Sequence, residues 1–196
     1  MGEFISALFP GLAVMPNWHP LLVHFPIALL SCYFLLDLAA TLTGKTAWHN
    51  SADGLLYLGT LFAAIAVALG FQAAATVAHS EAVHPILASH HDHGLAVLGM
   101  AVLLSLWRWL QSRALSMAAK PASPAVFIEL LRLALAACML IVMALGADMG
   151  GLMVYGHGVG VRVPELEHGD AHQHSQEPAH DHDHADKADD HHHHHH

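Results

Sequence analysis

Cysteine is almost missing from this 196-residue chain: only Cys32 and Cys138 occur, each inside a long apolar run. Without a CxxC or CxxCH pair, covalent c-type haem is excluded, and a thiolate metal centre or a structural disulfide has little to build on. Basic residues are scarce as well. Seven lysines and arginines leave no basic surface for nucleic acid. No GxSxG elbow, no HExxH helix and no usefully spaced carboxylate pair is present, so hydrolytic and nucleophilic catalysis have no carrier. Even the acidity is local, because most of the net charge of −9 falls in the last thirty or so residues.

What remains is apolar. The chain is 55% hydrophobic with a mean hydropathy of +0.44, which points away from a soluble globule and toward the bilayer. A helix needs about 20 apolar residues to cross the hydrocarbon core. Four stretches qualify, roughly 20–43, 54–78, 85–110 and 126–155. Pro20 suits the first turn of the first span and Gly44 its end. Pro26 falls within two turns of the start, where it bends the helix rather than breaking it. Ser51 and Asp53 are placed as caps of the second span. Short connections predict an all-α, integral membrane, up-down four-helix bundle. It occupies residues 17–163, after an interfacial segment (1–16) that lacks the basic start of a signal peptide. Residues 164–190 form a His- and Asp-rich tail too polar to fold, and 191–196 read as a purification tag.

Lys45, Arg108, Arg113, Lys120 and Arg132 fall at or near the connections on one side of the bundle. The excess of positive charge on cytoplasmic loops makes that side the inner one. The expected location is the bacterial inner membrane, multi-pass in lipid, with both termini in the periplasm.

Histidine is the residue in excess. Up-down topology carries His19 and His24, His79, the group His84, His90, His91 and His93, and His157 to the same outer face. His49 alone falls on the inner side, as a loop residue with no evident role. Ionisable side chains inside a span are costly and usually functional. His24, one turn inside, and His93, beside Gly94, are the first choices. Two imidazoles facing each other can hold a b-type haem, with His24 and His93 as axial ligands and His157 and His19 as the next candidates. Gly94, Gly99, Gly146, Gly150, Gly151, Gly156 and Gly158 would give such a macrocycle room, although Gly146 and Gly150 also form a GxxxG packing pair. Alternatively the cluster takes zinc or copper through His24, His93, His157, His19, His90 and His91. In the tail, His168, His172, His174, His180, His182 and His184 would capture divalent metal weakly and collectively. Asp92 is a candidate partner for a ligating imidazole, Asp148 a packing or proton-relay residue, and Asp37 a partner for Lys45 or Arg132.

The stretches "NWHPLLVHFPIALL" and "GGLMVYGHGVGVRV" resemble the signatures of an uncharacterised bacterial family of four-helix membrane proteins, a domain of unknown function with HPxxVHFPIA and GxxxVYxHGVGV motifs. The resemblance covers about residues 17–163. It carries over to His19, Pro20, His24, Phe25, Pro26, Gly151, Val154, Tyr155, His157 and Gly158. Fusion of some family members to cytochrome c or Rieske domains implies haem, electron transfer and a periplasmic or membrane redox partner. Assembly into an oligomer is compatible with the sequence.

Overall fold

The computed structural model describes residues 17–77, 80–117 and 126–161, together with 4, 7–11 and 15 ahead of them; at 115–117 it describes the backbone alone. His79, Lys120, the tail histidines and the tag lie outside the described residues. Four long helices carry the fold: α1 (His24–Thr43), α2 (Thr46–Thr76), α3 (His84–Met117) and α4 (Val126–Gly151). With the short turns at their ends, all four are long and apolar enough to cross a membrane.

A one-turn helix, His19–Leu22, precedes α1. Val23 separates the two yet keeps right-handed helical angles, φ −63 and ψ −23. The cause is Pro26, which has no N–H to give to the Leu22 carbonyl four residues back. The proline therefore bends the entry without ending it. At the other end, Gly44 takes the left-handed conformation at φ +68 and its N–H closes on the Ala40 carbonyl at 2.8 Å, a glycine C-cap.

The second helix corrects the expected boundary. It starts at Thr46, not near 54, so Ser51 and Asp53 are interior residues and not caps. Ser51 Oγ donates back to the Ala47 carbonyl at 3.2 Å, the arrangement that lets serine sit inside a helix. Asp53 is held by Arg108 of α3. The third helix likewise runs on past 110, from a 3-10 turn at Glu81–Val83 through Met117. The fourth continues through a π turn at Leu152–Gly156.

Successive helices pack side by side, and the α1–α4 seam is the thinnest. The core is built from Leu30 and Tyr33 of α1, Ala52 and Leu56 of α2, Val97, Ala101 and Leu104 of α3, and Ala136 and Met139 of α4. Small residues bring backbones close, as membrane packing requires. A Cβ at Gly59 would stand 2.7 Å from Leu30 Cδ2. Leu35, Leu61, Leu103 and Ile141 face outward, which suits lipid. Lys45 over the Trp48 ring, at 4.7 Å, and Arg113 over Trp109, at 4.6 Å, mark one end as an interfacial belt.

Candidate functional site: two polar layers

The polar side chains sort into two layers, a histidine end and a charged end. Along α2, Asp53 and Gly70 are seventeen residues apart; along α3 and α4, Arg108 and His90, and Arg132 and Gly150, are eighteen apart. At 1.5 Å per residue the layers are separated by about 26 Å, close to the roughly 30 Å of a hydrocarbon core.

At the histidine end, His19 and His90 come together with ring centroids 6.1 Å apart and ring planes at 90°. Both are seated in the same manner. His19 Nδ1–H donates to the Ala66 carbonyl on α2 at 2.9 Å, and its Cε1 lies 3.0 Å from where a Cβ of Gly70 would stand. His90 Nδ1–H donates to the Gly146 carbonyl on α4 at 2.8 Å, with Cε1 3.3 Å from the missing Cβ of Gly150. The geometry of a helix explains the seat. A carbonyl at position i points toward residue i+4, so a bare glycine there lets a donor from outside reach it. Carbonyls accept only, so each Nδ1 carries a proton, and in the neutral imidazole Nε2 then keeps its lone pair.

His91 joins this pair from the α2 side. Its ring centroid lies 6.4 Å from that of His90 and 4.7 Å from that of Phe71. His93 stays behind it. Its Nδ1–H turns back to the Ser89 carbonyl of its own helix at 2.6 Å, and its Cβ lies 3.1 Å from the missing Cβ of Gly146. His24 and His157 are exposed, with His24 Nδ1 3.3 Å from the Leu21 carbonyl. The structure thus pairs His19 with His90 and does not pair His24 with His93. Asp92 and Asp148 are exposed too, so neither supports a clustered imidazole. The space expected from the glycines is used differently: Gly70, Gly146 and Gly150 receive histidines, Gly94 faces Val67 at 3.8 Å, and Gly99 has nothing within 4 Å. Among the described residues, no three His, Cys, Asp or Glu side chains converge to hold a metal ion.

The charged end draws on all four helices. Asp37 of α1 is fully buried and accepts two bonds from Arg132 of α4, from Nε at 3.1 Å and Nη2 at 3.0 Å. This is the bidentate fork that favours arginine over lysine, and it selects Arg132 over Lys45 as the partner. His49 is no loop residue. It sits on α2 and its Nδ1–H reaches Asp37 Oδ1 at 3.0 Å. Glu129 lies against Arg132 from the previous turn, and Arg108 of α3 meets Asp53 of α2. Tyr33, one turn before Asp37, is buried with no hydrogen-bond partner for its hydroxyl among the described residues. Sequence reading missed His49, Asp53, Arg108 and Glu129 as members of this layer. The spacing of His49 and Asp53, four apart on one helix face, was the available signal.

A family described as a predicted membrane protein (DUF2231) is matched over residues 16–163. No curated protein and no solved structure matches the chain. The match spans both polar layers and all four helices, and the chain belongs to this membrane-protein family, whose function is unknown.

Proposed function

We propose that the protein is an integral membrane metal-binding protein, with its centre between His19 and His90 at the histidine end. The observation that supports this reading is the repeated seat: two imidazoles from different elements, each fixed through Nδ1–H to a carbonyl of a neighbouring helix, each with no hydrogen bond to Nε2 among the described residues. Metal-binding histidines receive this kind of support, which fixes the tautomer and the ring orientation. Lys45, Arg108, Arg113 and Arg132 gather at the opposite end. The positive-inside rule then sets the metal site on the periplasmic side of the bacterial inner membrane.

A b-type haem held by the same two imidazoles is the second reading, because a 6.1 Å centroid separation also suits two axial ligands. His19 and His90 would hold it, and the haem iron, when bound, would supply one-electron chemistry for a periplasmic or membrane redox partner. Against it stands the filling of Gly70 and Gly150 by the imidazoles themselves, which leaves those glycines no space to offer a macrocycle. The test is an absorption spectrum together with iron, copper and zinc analysis of protein freed of residues 191–196. Stoichiometric metal that disappears in His19→Ala and His90→Ala is the expected result. A Soret band lost in those variants selects haem, and metal content indifferent to both residues ends the metal-centre reading.

A further inference from the structure

Two imidazoles are few for most metals, so the number of donors at the histidine end narrows the choice of ion. Structural zinc takes four protein ligands and catalytic zinc three plus water. Divalent copper takes a tetragonal set of nitrogen and oxygen donors. Here no third donor converges with His19 and His90 among the described residues. His91 packs on Phe71, His93 is bonded to its own helix, and Asp92 is exposed, about 200° around α3 from His90.

The separation of the rings carries further information. An ion about 2 Å from each Nε2 sets the two ring centroids about 6 Å apart when the nitrogen–metal–nitrogen angle is nearly straight. At the tetrahedral angle they would be about 5 Å apart. The observed 6.1 Å matches the longer of these two separations. Charge points the same way. The cost of desolvating an ion grows with the square of its charge, so a divalent ion costs about four times as much as a monovalent one in the same surroundings. Both donors are neutral, and no carboxylate stands beside them to offset a second charge.

Building on the metal-centre reading, we infer that the site takes monovalent copper, held in two-coordinate fashion by His19 and His90. A closed-shell monovalent ion is satisfied by two nearly collinear nitrogen donors, which zinc and divalent copper are not. The anchored rings supply two nitrogen donors from different elements. Gly70 and Gly150 act as positioning residues, since a Cβ at either would meet the ring it seats.

The test uses the full chain, freed of residues 191–196, in detergent micelles. Cu(I) is titrated without oxygen against a competing Cu(I) chelator, and Zn²⁺ against a chromogenic one. The tail is common to every variant, so differences report the bundle. His19→Gln and His90→Gln are expected to weaken one Cu(I) site per chain by on the order of 100-fold, while His93→Gln leaves it intact. X-ray absorption of the unmutated chain at one equivalent of Cu(I) should show a shell of two nitrogens, a readout that depends on no variant's folding. A shell of three or four donors overturns the inference, as does Cu(I) binding unchanged in both variants. If zinc rather than Cu(I) is lost in His19→Gln and His90→Gln, the metal centre stands and monovalent copper falls. If neither metal depends on the two residues, both fall.

Discussion

At the charged end each buried charge meets an opposite charge from another helix; at the histidine end the half-buried imidazoles of His19 and His90 each meet a carbonyl and a bare glycine. The difference lies in what is left over. Asp37 has both oxygens engaged by Arg132 and one also by His49, so that carboxylate is fully paired within the protein. His19 and His90 each spend one ring nitrogen on the fold and keep the other. A layer paired by opposite charges serves the assembly of the bundle, whereas the Nε2 atoms of His19 and His90 are the donors of the proposed metal centre. The two layers are separated by about the thickness of a hydrocarbon core.

The largest effect that could break this contrast is at Asp37. Removing one partner of a buried, hydrogen-bonded ion pair leaves an uncompensated charge and costs about 3–5 kcal/mol. Asp37→Asn should therefore destabilise the protein strongly in thermal unfolding in micelles. Replacing both partners, Asp37→Leu with Arg132→Met, should recover much of that loss, because no orphan charge remains. Asp53 offers the control, since it and Arg108 remain partly exposed, at 18% and 10% of their side chains. Asp53→Asn should cost clearly less. Equal losses at Asp37 and Asp53 would show that burial does not set the strength of this layer.

At the histidine end the expected loss of stability is small while the local signal is large. Gly70→Ala puts a Cβ 3.0 Å from His19 Cε1 and 3.3 Å from Nδ1, which displaces the ring from the Ala66 carbonyl. Losing that hydrogen bond costs about 0.5–1.5 kcal/mol. Alanine in place of an interior helical glycine returns about 0.8–1.0 kcal/mol. The two nearly cancel, so the melting temperature should move little. Nitrogen NMR of labelled histidine should nonetheless show His19 losing its fixed Nδ1–H form, and metal bound through His19 should weaken. An unchanged His19 resonance would mean that the glycine seat does not hold the ring.

Four helices, their order and the gathering of histidines at one end were legible because length, hydropathy and topology determine them. Asp37 with Arg132 was half legible, as one of two pairings. The start of α2 was not, because Ser51 and Asp53 have the chemistry of caps. Only the tertiary partner Arg108 and the back-bond from Ser51 show why they lie inside the helix. The choice among histidines failed on helical phase. His19 and His24 are five residues apart, so at 100° per residue they point about 140° away from each other. Once His19 faces the bundle, His24 faces out. GxxxG at Gly146 and Gly150 was visible as a packing motif, but its use as an imidazole seat needs the neighbouring helix.

That phase argument yields the smallest expected effect and the sharpest contrast within the histidine end. His24 lies in the signature stretch at the start of the first span, yet it is exposed, and its Nδ1 stays 3.3 Å from the Leu21 carbonyl of the preceding turn. An exposed side chain without a cross-helix partner changes stability by no more than about 0.5 kcal/mol when truncated. His24→Ala should therefore leave both the melting temperature and the metal content unchanged, where His19→Ala, five residues earlier, removes the metal. If His24→Ala instead abolishes metal binding, the exposed rim and not the seated pair holds the ligand. The bend at Val23 would then have to turn far enough to bring His24 inward beside His93, restoring the pairing that the sequence alone had suggested.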